Sequence, residues 1–303
     1  MRYFLLVLIA GSFLYGEVKK TYYPNGVLKS ELPSKNGKKE GIEKYYFENG
    51  QLMNEVTYRD GKLEGVEKYY HKNGKLKHET SYKNDIKDGI EKHYWHGKIM
   101  YEIPFVNGEK EGIEKHYYEN GKVKGEVPFT NNMEDGMARL YYENEKLKEE
   151  IAYQNGKKEG IYKYYDRGGN LRSEGFYKND KRNGILKAYY ENGTLWYETF
   201  YKNGNENGIT KAYYENGKVS DEVPYINGKK EGLEKHYYES GTLAFETPYM
   251  NGREEGIDKT YYENGKVKKE VAYEAGKAIS GFFYKVDDIK SEMEKVDIDK
   301  LNK

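Results

Sequence analysis

The stretch GIEKHYYENGKVKGEVPFTNNMED, residues 112–135, decides the fold, because the chain says it again and again. Its opening glycine returns at Gly41, Gly65, Gly89, Gly136, Gly160, Gly184, Gly208, Gly232 and Gly256, with gaps of 24 residues broken once by a gap of 23. A fixed period of roughly 20–50 residues marks an array rather than a single closed domain. Set in register, the units agree column by column. The second residue is aliphatic or Met (Ile42 to Ile257) and the fourth is basic (Lys44 to Lys259). The sixth is always tyrosine: Tyr46, Tyr70, Tyr94, Tyr117, Tyr141, Tyr165, Tyr189, Tyr213, Tyr237 and Tyr261. A later column is always glutamate, from Glu55 to Glu270, and three residues beyond it stands an aromatic, from Tyr58 to Tyr273.

Each unit holds two strand-sized runs, GIEKxYY and LKxEVPY, divided by ENGK and followed by xNGK. Asn-Gly between β-prone runs is a strong hairpin signal, since both residues tolerate positive φ. The expected fold is therefore all-β: an elongated, single-layer antiparallel meander of about eleven hairpin repeats. Which residues share a face depends on the first turn. A two-residue turn sets Lys44 opposite Glu55, whereas a three-residue loop with a glycine bulge slips the pairing by one. An exposed ion pair contributes about 0–1 kcal/mol, and burial of one large apolar side chain about 1.5–3 kcal/mol. That balance selects the bulged loop, with Ile42, Tyr46, Leu52, Val56 and Tyr58 on one core face. The seventh column then lines the opposite face together with the invariant glutamates. Phe47, Trp95, Tyr118, Tyr142, Tyr190, Tyr214, Tyr238 and Tyr262 form that column, interrupted by His71 and Asp166. They are the candidate partner-binding surface.

Outside the array the chain changes character. Residues 1–16, MRYFLLVLIAGSFLYG, read as a secretory signal peptide: a basic start, a short apolar run and a small residue at the cleavage point. Residues 17–40 are a degenerate first repeat, 41–284 the regular array, and 285–303 a tail with helical spacing that would cover the last sheet edge. The tip YWHGK at residues 94–98 is one residue short, and Glu145 replaces a tip glycine.

Acidic and basic residues balance at 51 each, so no net field draws nucleic acid or anionic lipid. The 35 tyrosines suit thin β-structure better than a thick aliphatic core. Cysteine is absent, which removes disulfides, thiolate nucleophiles and thiolate metal sites. His93, His116 and His236 share one column, spaced about 10 Å or more apart by the hairpin period, too far to share a metal ion. A glutamate copied in every unit reads as structural, bonded to the next hairpin's backbone. No catalytic constellation, cofactor or metal site is expected.

Residues 224–241, PYINGKKEGLEKHYYESG, resemble the bacterial variant of the MORN repeat: an aromatic, Asn-Gly-Lys, a second glycine, a Tyr-rich strand and another turn glycine. The resemblance spans about residues 21–284. It implies an extended hairpin array used for binding and scaffolding, with a protein or peptide partner and no small-molecule substrate. Phospholipid binding and an antitoxin-like role are the alternatives that it carries. Taken with the export signal, it points to a non-enzymatic accessory protein at the cell envelope, periplasmic, surface-bound or secreted.

Overall fold

The computed structural model describes residues 16–284, 290–292 and 295–302. The export segment expected at residues 1–16 lies outside these but for Gly16. Two compact units divide the chain, Met1–Met133 and Glu134–Lys303. Each is an open, single-layer antiparallel meander of hairpin repeats, and among the described residues the only helix is Lys295–Leu301.

One repeat shows how the sequence makes the fold. Gly112–Tyr117 pairs with Val123–Thr130. Between them the Tyr118 N–H donates to Lys122 O and the Gly121 N–H to Tyr118 O, both at 2.9 Å, with Gly121 at φ 84°. This is the expected three-residue loop, a turn closed by a glycine in the left-handed region. The preceding connection is tighter: Asn107 and Gly108 both hold positive φ, 51° and 87°, as a two-residue hairpin turn requires.

The register differs from expectation. Tyr46 faces Leu52, as the three-residue loop demands, yet Tyr45 faces Asn54, Lys44 faces Glu55 and Ile42 faces Thr57. A bulge at Met53 takes up the one-residue slip. The same irregularity recurs at Lys77, Lys124, Trp196 and Lys268. Ion pair and apolar contacts are therefore not rivals, because one hairpin holds two registers. The five apolar columns split as a result. Ile42, Lys44, Tyr46, Leu52 and Glu55 share one face; Glu43, Tyr45, Asn54, Val56 and Tyr58 share the other. Val56 and Tyr58 thus lie away from Ile42 and Tyr46, and the invariant glutamates lie beside the sixth-column tyrosines rather than behind them.

The core runs along the Val56 face. Val56, Ala138 and Val271 are buried there, with Glu43, Thr80, Thr199, Thr210, Glu234 and Thr247. A single layer has little depth, so small and β-branched side chains fill it, and carboxylates enter it only when paired. Lys39 Nζ donates to Glu43 Oε2 at 3.0 Å and sits 4.2 Å from the Tyr58 ring centre. Lys230 repeats the arrangement with Glu234 and Tyr249. Burial opposes ionisation of Glu234, but Lys230 and His236 outweigh it and hold the carboxyl below its ordinary range.

At the C-terminal end Ile298 of the helix and Tyr273 both pack on the buried pair Val271 and Ala278. The Asn302 amide then binds the sheet as a strand would: its Nδ2 donates to Ala278 O at 3.0 Å, and the Ala278 N–H donates to its Oδ1 at 2.7 Å.

Candidate functional site

The sixth-column tyrosines stitch each hairpin to the one before. Tyr70 Oη donates to Glu55 at 3.0 Å, Tyr117 to Glu102 at 2.6 Å, Tyr189 to Glu174 at 2.7 Å and Tyr261 to Glu246 at 2.8 Å. Burial, and then the carboxylate acceptor, push the Tyr70, Tyr94, Tyr189, Tyr213 and Tyr261 phenols up to about 12. So the invariant glutamate accepts from a phenol, not from backbone. The backbone role falls to the residue before each opening glycine, an acid except at Asn183 and Asn207: Glu40 accepts the Asp60 N–H at 2.7 Å, Glu111 that of Asn131 at 3.0 Å and Glu231 that of Asn251 at 2.7 Å. That column of carboxylate and amide side chains is legible in the sequence, though the sequence reading did not single it out.

The seventh column is not an open stripe. Tyr142, Tyr190 and Tyr238 are half-buried, and their hydroxyls donate to the sixth-column carbonyls of the next hairpin, Tyr165, Tyr213 and Tyr261, at 2.7–2.8 Å. Tyr214 and Tyr262 do the same to Tyr237 and Tyr284. Phe47 and Trp95 have no hydroxyl to give, and Trp95 stands 55% exposed.

The exposed apolar surface lies instead in the second column. In Glu134–Lys303, Ile161, Ile185, Ile209, Leu233 and Ile257 are 40–56% exposed. Facing them across the hairpins are Phe176, Phe200, Pro224, Pro248 and Ala272, so one face carries a continuous apolar row. Beside it runs a row of alternating charge, in which Lys163, Lys187, Lys211, Lys235 and Lys259 face Glu174, Glu198, Glu222, Glu246 and Glu270.

Three of the histidines of Met1–Met133 form a ladder with two tyrosines. Tyr69, His78, His93, Tyr101 and His116 follow one another with ring centres 4.4, 5.6, 6.3 and 4.9 Å apart. His93 and His116 are separated by Tyr101, but His78 faces His93 directly, a contact that column spacing alone did not reveal. Burial holds His78 below its ordinary value, with the neighbouring His93 charge adding to the effect. Glu91 and Glu114 receive His93 and His116 at 2.7 and 2.8 Å. Among the described residues no group of three or more such side chains is arranged to hold a metal ion.

The MORN repeat variant matches ten stretches: residues 18–36, 39–60, 63–84, 110–131, 134–155, 158–179, 182–203, 206–227, 230–251 and 254–275. The chain belongs to that family, whose repeats are generally not enzymes and commonly engage proteins or lipids. Among solved structures, that of TcdB2-TccC3 is 11% identical over 93% of this chain and 18% of that chain, with a TM-score of 0.21. A porin-like protein from Bacteroides uniformis ATCC 8492 is 8% identical over 83% of this chain and 92% of that chain, with a TM-score of 0.19. The chain thus spans less than a fifth of the TcdB2-TccC3 chain. No curated protein matches it.

Proposed function

We propose that this is an exported, non-enzymatic scaffold that binds another protein at the cell envelope through the apolar row of Glu134–Lys303. The observation that carries the reading is the exposure of Ile185, Ile209 and Ile257 at half or more of their surface. A contiguous apolar strip rimmed by polar residues is characteristic of protein interfaces. The adjoining lysines and glutamates alternate in sign, which favours a partner with its own mixed charges over a polyanion. Export rests on residues 1–16 of the sequence.

Affinity capture from the native envelope tests the reading. The triple variant Ile185→Ser, Ile209→Ser, Ile257→Ser is expected to lose the partner that the wild-type chain retains, with its thermal transition unchanged. Equal capture by both chains would remove the row from consideration. Phospholipid binding is the second reading, favoured by the family. It predicts sedimentation with anionic vesicles that weakens with salt, and the balanced charge of 51 against 51 speaks against it. An antitoxin-like role, in which the row occludes a partner's active surface, predicts that residues 1–16 are retained on a cytoplasmic chain.

A further inference from the structure

Three consecutive hairpins of the regular array lack the tip phenol, which elsewhere is missing only at Asp166. Tyr23 Oη donates to Tyr46 O at 2.7 Å, but the equivalent positions in the following hairpins are Phe47, His71 and Trp95, none with a phenol. Over the same stretch the tip loses a residue. His96 and Gly97, at φ 51° and 81°, make a two-residue turn where other units have three, and Trp95 pairs directly with Lys98. Residues 85–109, which contain this turn, are also the internal stretch of the array that the family pattern skips.

An open cleft of about 320 Å³ fills the gap, lined by His71, Lys72, Asn73, Lys75, Trp95 and His96. The lining is one-sided in chemistry. Trp95 offers an exposed indole, held edge-on to His96 with ring centres 5.0 Å apart. Lys72 and Lys75 bring two ammonium groups that have no ion-pair partner among the described residues, and no carboxylate lines the cleft. Other lysines of the chain are paired with glutamates, as at Lys39, Lys110 and Lys230, or, at the tips, donate to a backbone carbonyl of the next hairpin, as Lys146 and Lys218 do. Here a cationic, aromatic hollow interrupts a neutral sheet.

We infer that this cleft binds a small anion carried on a flat ring, with the ring laid on the Trp95 indole and the anionic group held by Lys72, Lys75 and the His96 edge. Its volume lies at the low end of ligand sites, about 300–1,000 Å³, which fits one ring with its substituents rather than a polymer. Stacking on an indole suits the C–H face of a sugar or the π-face of a base. The chain's balanced charge and the isolation of the site exclude a nucleic-acid track. A sugar carboxylate and a nucleoside monophosphate share this chemistry, and the two are separable by experiment.

In the full chain carrying Trp196→Phe, Trp95 is the single tryptophan, and its fluorescence reports occupancy. Titration with glucuronate and with adenosine monophosphate, each to about 10 mM, is expected to give a saturable change with one of them, which identifies the source. Affinity should fall about tenfold in Lys72→Ala, Lys75→Ala and weaken with added salt. His71→Tyr restores the regular column and fills the cleft. It should abolish the response while leaving the thermal transition equal or higher, which separates loss of the site from loss of the fold. No response to either probe would overturn the inference. So would an equal response to glucose, adenosine or inorganic phosphate alone, or unchanged binding in His71→Tyr.

Discussion

Met1–Met133 and Glu134–Lys303 are built from the same repeat and have drifted in opposite directions. Apart from Asp166, the second unit keeps its tip phenols, so Tyr142, Tyr190, Tyr214, Tyr238 and Tyr262 each close a bond to the next hairpin. Its second column is uncovered, as are Ile42, Ile90 and Ile113 in the first unit, but only here do apolar residues face it in every hairpin from Ile161 to Ile257. The first unit gives up tip phenols at Phe47, His71 and Trp95 and gains a cleft and a histidine ladder. Regularity in one unit presents a long uniform surface; irregularity in the other makes a local one. In a repeat array the consensus positions carry the fold, and departures from consensus are where specific chemistry can lodge.

The comparison can be broken most forcefully at the core. Val271 is fully buried, so Val271→Asp places an unpaired charge in a dry site and is expected to cost several kcal/mol. Hydrogen exchange should show the loss concentrated in the last hairpins, because repeat arrays couple mainly to their nearest neighbours. Next in size is alkali. The sixth-column phenols are raised above their ordinary 10.0, Tyr70 in the first unit and Tyr213 in the second to about 12, so the folded state holds more protons between those limits. Their stabilisation is complete below about pH 10 and is lost as pH rises towards about 12. Both units carry this column, and circular dichroism should show both melting over that interval.

A smaller effect separates the units. Tyr190→Phe and Tyr238→Phe each remove one hydroxyl bond and should cost about 1 kcal/mol in the second unit. Phe47→Tyr in the first supplies a missing phenol and should add a comparable amount. Equal and opposite shifts in urea midpoint would sharpen the contrast, and no shift in either would show that the tip bonds are energetically idle. Asn302→Ala deletes both bonds to Ala278 and should speed amide exchange at the last edge without moving the first unit. Least of all, Ile209→Ser on the exposed row should change stability by less than about 0.5 kcal/mol.

Much of this was readable in advance. The period, the turn residues and the Asn-Gly pairs specified hairpins, because positive φ at Asn107 and Gly108 leaves few alternatives. The partition of faces was not readable. It depends on a bulge at Met53 and its equivalents, and no residue type is required there: Met53, Lys77, Trp196 and Lys268 all serve. The seventh column looked like an interaction stripe because tyrosine is amphipathic, and only the geometry shows where its hydroxyl goes. His78 escaped notice since it occupies a different column from His93 and meets it only across the strand pair.

The Asn302 amide has a consequence for how such chains change length. One side chain supplies a donor and an acceptor at Ala278, while Lys290–Glu292 pairs with Phe282–Tyr284 further along the same edge. The covering of that edge is therefore independent of how many copies stand ahead of it. Duplication or loss of a whole repeat upstream leaves the finish intact, so reach can evolve without redesigning the end.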